Sequence, residues 1–318
     1  MKSPRIYYCA IFLIALTTGC TTSQENTLDG PTSGHISIAA DNTLFPIVDA
    51  EEDIFEHTYK SAQLDVKYLP EVQAFNQLLM DSVHLVVATR LLNEREKAYF
   101  AKIKITPRVT QIATDAMALM IHPQNPDTAL SCQEILKVLS GEVTSWNQLS
   151  PNNRTGKITL VFDNANSSTV SYALNLIKKQ QLPANAYALQ TNTAVVDYVA
   201  NHPGAIGIIG YSWISDYDDP LTKKLRREAR LLSISPCDSD TPVVEYFKPY
   251  ADNLIGKLYP FPRNVYVISR EAYSGLGSGF SAFLGGEIGQ RIIKKAGIPP
   301  YFKVEYNIEL SSKPIKVE

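Results

Sequence analysis

Histidine and cysteine are scarce in this chain of 318 residues, which carries five of the first and four of the second. His35, His57, His84, His122 and His202 are dispersed, with no HExxH pattern and no i,i+4 pair, so the spacing that a zinc site needs is missing. Glycine-based cofactor signals are missing too. GAIGIIG lacks the spacing of a dinucleotide fingerprint, and SGLGSGF does not form a nucleophile elbow, so both are expected to be turns and close packing. These absences leave no cofactor to expect and argue against an exported hydrolase. Charged residues make up only 19% of the chain and are nearly balanced, 30 basic against 32 acidic. Two of the basic ones, Lys2 and Arg5, lie at the extreme N-terminus. That balance excludes a nucleic-acid partner, whose phosphate backbone demands a concentrated basic surface. It leaves room for one small anion, which a few aimed donors can hold without any net charge.

What is present at the N-terminus is an export signal. Lys2 and Arg5 precede the apolar stretch Ile6 to Leu16, which is shorter than the ~20 residues a bilayer span needs. Small residues Thr17, Thr18 and Gly19 then precede Cys20. The pattern resembles the bacterial lipobox, although Thr17 stands where that motif usually has leucine. Residues 1–19 are therefore expected to be a signal peptide, with Cys20 lipidated and the protein anchored to a membrane of the cell envelope, facing the periplasm or exterior. Residues 20–33 follow as a flexible tether, polar with Gly and Pro and without periodicity. Cys9 leaves with the leader and Cys20 would be acylated, so only Cys132 and Cys237 remain. An oxidising compartment permits a disulfide between them, and two separate buried thiols are equally compatible with the sequence.

From Gly34 onward, short apolar strands alternate with longer stretches of helical periodicity, the pattern of an α/β protein. HISIAA is a strand that runs into the capping residues Asp41, Asn42 and Thr43. Leu64 to Leu69 is a second strand, Ala74 to Met80 a short helix, and HLVVAT a buried strand ending at Arg90. QIATDAMALMI reads as a connecting strand, and Ser131 with Glu134 forms a capping box before a helix that Gly141 stops. KITLVF delivers DNANSST to a further helix start. SDYDDPLTKKLRREAR is expected to be a surface excursion, and Ser278 to Gly297 a single last amphipathic helix.

Hydroxyl-bearing clusters thus stand at the strand-to-helix junctions Asp41–Thr43 and Asp163–Thr169, with Pro70–Glu71 marking a third such turn. Helix N-termini offer unpaired N–H groups and partial positive charge, and Ser or Thr hydroxyls beside them complete a place for a tetrahedral anion. Each cluster taken singly is also what any helix cap requires. Arg90, at the carboxyl end of its strand, points toward the usual ligand crevice of an open α/β sheet and could grip two anion oxygens.

In order along the chain, ISIAADNTLFPIV, LVVATRLL, DAMALMIHPQNP, ILKVLSGEVTSWNQL, ITLVFDNANSSTVSYAL, TNTAVVDYVANHPGAIGIIG, YPFPRNVYVI and GEIGQRIIKKAGIPP resemble the phosphate-binding proteins of bacterial phosphate ABC transporters, across residues 34 to 302. The resemblance implies a two-lobed periplasmic-binding-protein fold of the class II type, with two open sheets, flanking helices and a hinge cleft. Lobe 1 would comprise 34–112 and 240–310, and lobe 2 would comprise 113–239. It implies a monomer that captures inorganic phosphate without turnover and hands it to a membrane permease. Matched by motif, the ligand groups would be Thr43, Leu44, Thr89, Arg90, Ser167, Ser168 and Thr169, with Glu71 or Asp163 accepting the proton of hydrogen phosphate. Three departures stand out: YLPEVQAF replaces the family's glycine-serine loop, Phe162 replaces its arginine, and Asn166-Ser167-Ser168-Thr169 replaces Gly-Ser-Gly-Thr. The alternative is a binder or sensor of another small oxyanion or polar solute without a transport role.

Overall fold

The computed structural model of the protein describes residues 29–237 and 245–304. The signal peptide, Cys20 and most of the tether lie outside the described residues.

The first half is built from β1 (Ser33–Asp41), α1 (Phe45–Thr58), β2 (Ser61–Leu69), α2 (Glu71–Leu79), β3 (Leu85–Ala88), α3 (Glu94–Lys102) and the start of the long strand β4 (Arg108–Ile121). The second holds β5 (Ala129–Leu130), α4 (Cys132–Ser140), β6 (Thr159–Phe162), α5 (Ser168–Ile177), β7 (Ala186–Ala188), α6 (Asn192–Asn201), β8 (Ala205–Gly210), α7 (Pro220–Glu228), β9 (Arg230–Leu231) and β10 (Ser233–Ile234). The chain then passes through α8 (Ala251–Ile255) to β11 (Pro262–Ser269), α9 (Leu276–Gly285) and α10 (Glu287–Lys295).

Strand pairing follows the order β2-β1-β3-β11-β4-β8-β6-β7, with β9 on β4 and a separate pair β10-β5. The two expected open sheets therefore share β4. Its 14 residues are long enough for Arg108 to Ala116 to pair with β11, while Met117 to Ile121 pairs with β8. β1, β2 and β3 are parallel, as are β6, β7 and β8, so the carboxyl ends of each set open toward one edge. Buried strands read as nearly continuous apolar runs, which is why β3, LVVA, and β8, AIGIIG, are buried at every position.

Local signals explain the element ends. Ser131 and Glu134 close a reciprocal capping box on α4, and Gly141 terminates that helix in the left-handed region at φ 79°. Trp146 is wholly buried and its indole donates to the Gly204 carbonyl at 3.0 Å, joining the stretches ILKVLSGEVTSWNQL and TNTAVVDYVANHPGAIGIIG. Two expectations need correction. The stretch from Asp216 is not merely a surface excursion, because Asp219 caps and Pro220 opens the nine-residue α7, which buries Leu225. The last helix is two, since Gly286 takes an extended conformation between α9 and α10, where a glycine lacks helix propensity. Cys132 and Cys237 are joined in a disulfide, with Cα atoms 5.1 Å apart.

One buried acid gives the fold a pH signature. Glu51 of α1 is wholly buried, neither carboxylate oxygen has a hydrogen-bond partner among the described residues, and desolvation pushes its pKa up to about 9. Burial likewise pushes Glu52 up to about 7. A folded-state value above the unfolded one means the folded form holds a proton that the unfolded form has released. The stability contributed by neutral Glu51 is therefore complete below about 4.5 and is lost as pH rises toward about 9. Thermal unfolding from pH 5 to pH 9 is expected to show a falling Tm, and Glu51→Gln to flatten it, with a gain on the order of 5 °C or more at pH 9. A variant whose Tm tracks the wild type at every pH contradicts this assignment.

Candidate functional site

The parallel strands of both halves deliver their polar ends to one place. β1 ends in Asp41, whose wholly buried carboxylate accepts from the Thr43 amide at 3.0 Å and from the Thr43 hydroxyl at 2.9 Å. β6 runs into Asp163 and then into α5, where Ser167 is the N-cap and Ser168 and Thr169 are the first two helical residues, all buried. The amides of such first-turn residues have no acceptor inside the helix. Thr43 and Ser168 come from opposite halves of the molecule, and their hydroxyl oxygens are 3.0 Å apart. A second link across the gap is the Val72 amide of α2, which donates to the Asn166 carbonyl at 3.4 Å.

At the centre stands a residue the sequence reading missed. Arg263 of β11 is buried, with its Nη1 donating to Ser168 Oγ at 2.8 Å and its Nη2 donating to Asp115 Oδ2 at 2.7 Å and Thr43 Oγ1 at 3.5 Å. Burial alone would lower its pKa, but the carboxylates of Asp115 and Asp41 outweigh that and hold it above its ordinary value. Asp115 of β4 also accepts from the Ser212 amide at 3.0 Å, and Ser212 Oγ donates to the Thr43 carbonyl at 2.8 Å. Gly210 makes this approach possible, because a Cβ there would lie 2.8 Å from the Thr43 carbonyl and 2.9 Å from Arg263 Nη2. A sequence signal for the pair did exist. Arg263 shares its strand face with Val265 and Val267, and Asp115 sits inside an apolar run, so opposite charges occupy core positions of neighbouring strands.

A family model described as a PBP superfamily domain matches residues 25–287. The chain belongs to the PBP superfamily. Among curated members, the phosphate-binding protein PstS of Bacillus subtilis is 26% identical over 188 residues, covering 58% of this chain and 59% of that protein. The chain thus spans less than two thirds of that relative's length. PstS of Borreliella burgdorferi is 22% identical over 275 residues, covering 82% and 88%. Among solved structures, a Clostridium perfringens protein with bound phosphate, described as a phosphate ABC transporter substrate-binding protein, superposes with a TM-score of 0.70 at 19% identity, covering 85% of this chain and all of that one. An ABC-type phosphate transport receptor from Vibrio cholerae gives a TM-score of 0.64 at 18% identity, covering 84% and 100%.

Against this PBP-superfamily frame, the residues expected from sequence fall into two groups. Thr43 and Ser168 bond to Arg263, and Asp163, Ser167 and Thr169 gather beside Ser168 at the start of α5, whereas the charge of Glu71 is felt by Arg263 without a direct bond. Asp163 Oδ1 accepts from Thr169 Oγ1 at 2.8 Å, and the Ser167 and Thr169 hydroxyls are 2.8 Å apart. Burial first, and the Asp41 charge as well, raise Asp163 above the usual carboxylate range, against the Thr169 and Ser167 hydrogen bonds. Leu44 is wholly buried, so its side chain belongs to the core and only its backbone remains to serve a ligand. Glu71, Thr89 and Arg90 form the second group. Glu71 accepts from Thr89 Oγ1 at 3.1 Å and forms an ion pair with Arg90 Nε at 3.3 Å, while Arg90 is bidentate to Glu96 at 2.7 and 2.8 Å and lies 3.5 Å from the centre of the Phe75 ring. Burial and the Asp41 charge push Glu71 up to about 7 in spite of Arg90.

Leaving Asp115 buried without its guanidinium costs about 3 to 5 kcal/mol. Arg263→Met is expected to lower Tm by about 10 °C, and Asp115→Asn in the same chain, which keeps the acceptor for Ser212, is expected to recover most of that loss. A single variant with wild-type Tm shows that the pair does not hold the junction.

Proposed function

We propose that the chain is an extracytoplasmic solute-binding protein that captures inorganic phosphate between its halves for an ABC importer, without turnover. The observation that carries this reading is a pair of buried, unpartnered polar atoms of opposite kind. Arg263 Nε, a charged donor, and Asp163 Oδ2, an acceptor, have no hydrogen-bond partner among the described residues. They belong to side chains that bond adjacent residues of α5, Arg263 to Ser168 and Asp163 to Thr169. Each orphaned group costs about 1 to 3 kcal/mol or more when left unmade, so the site favours a ligand that supplies both. Hydrogen phosphate does so, with an ionised oxygen for the guanidinium and a P–OH for the carboxylate. Sulfate offers no proton and would set a lone pair against Asp163.

Between the two candidate proton acceptors this favours Asp163, because Glu71 is occupied by Thr89 and Arg90. Thr43, the first-turn amides of α5 and the backbone at Leu44 complete the cradle. Arg263 takes the place of the family arginine that Phe162 replaces. The names of the relatives support the same ligand. We place the hinge at Ala113–Met117 of β4 and at Tyr259–Pro262, where the Tyr259 hydroxyl donates to the Met117 carbonyl at 2.8 Å. On this division residues 245–258 go with the second lobe, because Phe247 pairs with Ile234. Closure brings Thr43 to Ser168, and the closed form is what a permease would recognise. Lipidation of Cys20 would keep the protein, acting as a monomer, at the membrane that holds the permease.

Calorimetric titration is expected to give phosphate binding at least 100-fold tighter than sulfate binding, and Asp163→Asn to weaken phosphate by about 10- to 100-fold while narrowing the gap. Equal affinity of the wild type for the two anions contradicts proton-based selection, and absence of phosphate binding contradicts the function.

A further inference from the structure

A concentration of positive charge lies in the second half, in a cavity lined by none of the residues around Arg263. This cavity of about 280 Å³ opens over an apolar floor of Met120 and Leu231 and is walled by Arg226, Arg227, Arg230 and Lys248. Among the described residues no acidic side chain lines it. Its floor is the β4–β9 pairing of Met120 with Leu231, three residues further along β4 than Met117, which pairs with Gly210 beside the cleft. Arg226 and Arg227 sit in the last turn of α7, where cations are favoured by the helix dipole for reasons of stability alone. That does not account for Arg230 of β9 or for Lys248, which reach the same cavity from outside the helix.

Like charges gathered without counter-charges repel, and none of the four makes an ion pair among the described residues. Arg226 is held in place by donating to the Ile214 carbonyl at 2.9 Å and lying 4.3 Å from the centre of the Tyr217 ring, so its orientation is fixed by the fold. The neighbouring Tyr250 registers the local field. Desolvation would raise its pKa, yet hydrogen bonds from Tyr217 and Arg226 and the charges of Lys248 and Arg226 hold it below its ordinary value.

We propose that this cavity is a second site, specific for phosphate-bearing anions of high charge, in which three guanidinium groups and an ammonium clamp the phosphoryl oxygens. Guanidinium forks match the paired oxygens of a phosphate group, and several fixed cations favour a ligand with more than one phosphate or a phosphate presented on an anionic surface. The two sources share this chemistry. The proposal does not rest on the function assigned to the cleft.

The test titrates the delipidated protein with tripolyphosphate at low ionic strength, in a background of inorganic phosphate, and measures co-sedimentation with phosphatidylglycerol and phosphatidylcholine vesicles. The expected result is salt-sensitive binding of tripolyphosphate or of phosphatidylglycerol vesicles alone, with the successful arm identifying the source. Arg227 and Arg230 are exposed, so Arg227→Ser/Arg230→Ser is expected to keep the wild-type Tm and cleft affinity while losing about tenfold or more at this site. Arg227→Lys/Arg230→Lys, which keeps charge but loses the forks, is expected to fall between. Unchanged affinity in the serine variant, equal binding of citrate, equal binding to both vesicle types, or no binding in either arm overturns the proposal.

Discussion

The buried pairing of Arg263 with Asp115 ties the two halves of the molecule to one another and to the site between them. The two residues stand on β11 and β4, the strands that carry the chain between halves, and face the turn that follows β1 and the helix that follows β6. An unpaired charge at full burial would be prohibitive, so each side chain fixes the other. From that pair, hydrogen bonds reach Ser168 on one side, the Ser212 amide on the other, and the Thr43 hydroxyl at longer range. The geometry of the cleft is therefore inherited from the junction, and a loop on either side has little freedom to set it alone.

The same region holds more buried carboxylate than cation. Asp41, Glu71, Asp115 and Asp163 are buried, while Arg90 is already committed to Glu71 and Glu96. A site of this composition repels a fully ionised anion unless protons are shared. Burial is the first cause of the raised carboxylate pKa values there, and at Glu71 and Asp163 the Asp41 charge adds to it. Selection by proton count needs no strong net positive field, in keeping with a chain of formal charge −2. The basic cavity beside α7 follows the opposite design, gathering positive charge where no acidic side chain lines it among the described residues.

Much of the fold was legible in the sequence because its elements carry local signals. Alternating strands and amphipathic helices, the Ser131–Glu134 capping box and the Gly141 stop all fell where the chain pattern put them. The errors arose where one weak local cue competed with another, at the Asp219–Pro220 start of α7 and at Gly286 between two helices of similar periodicity. Clustering at the site was partly legible, since Thr43 and Ser167 to Thr169 advertise themselves as helix caps. Arg263 was harder to read, because its alternation with Val265 and Val267 near the start of a strand is a weak cue that acquires meaning only beside Asp115, 148 residues away in sequence. Arg90 illustrates the converse. Its place after an apolar strand pointed to a ligand, whereas Glu96, supplied by the next helix, occupies its fork.

The central claim is that one anion is held by groups drawn from both halves, with Arg263 Nε donating to it and Asp163 Oδ2 accepting its proton. A crystal structure of the protein grown with phosphate tests this most directly. The account predicts a single tetrahedral anion within hydrogen-bonding distance of both atoms and of the Ser168–Thr169 amides. An anion held by Arg90 and Glu71 with Arg263 untouched, or bound by one half alone, would contradict it.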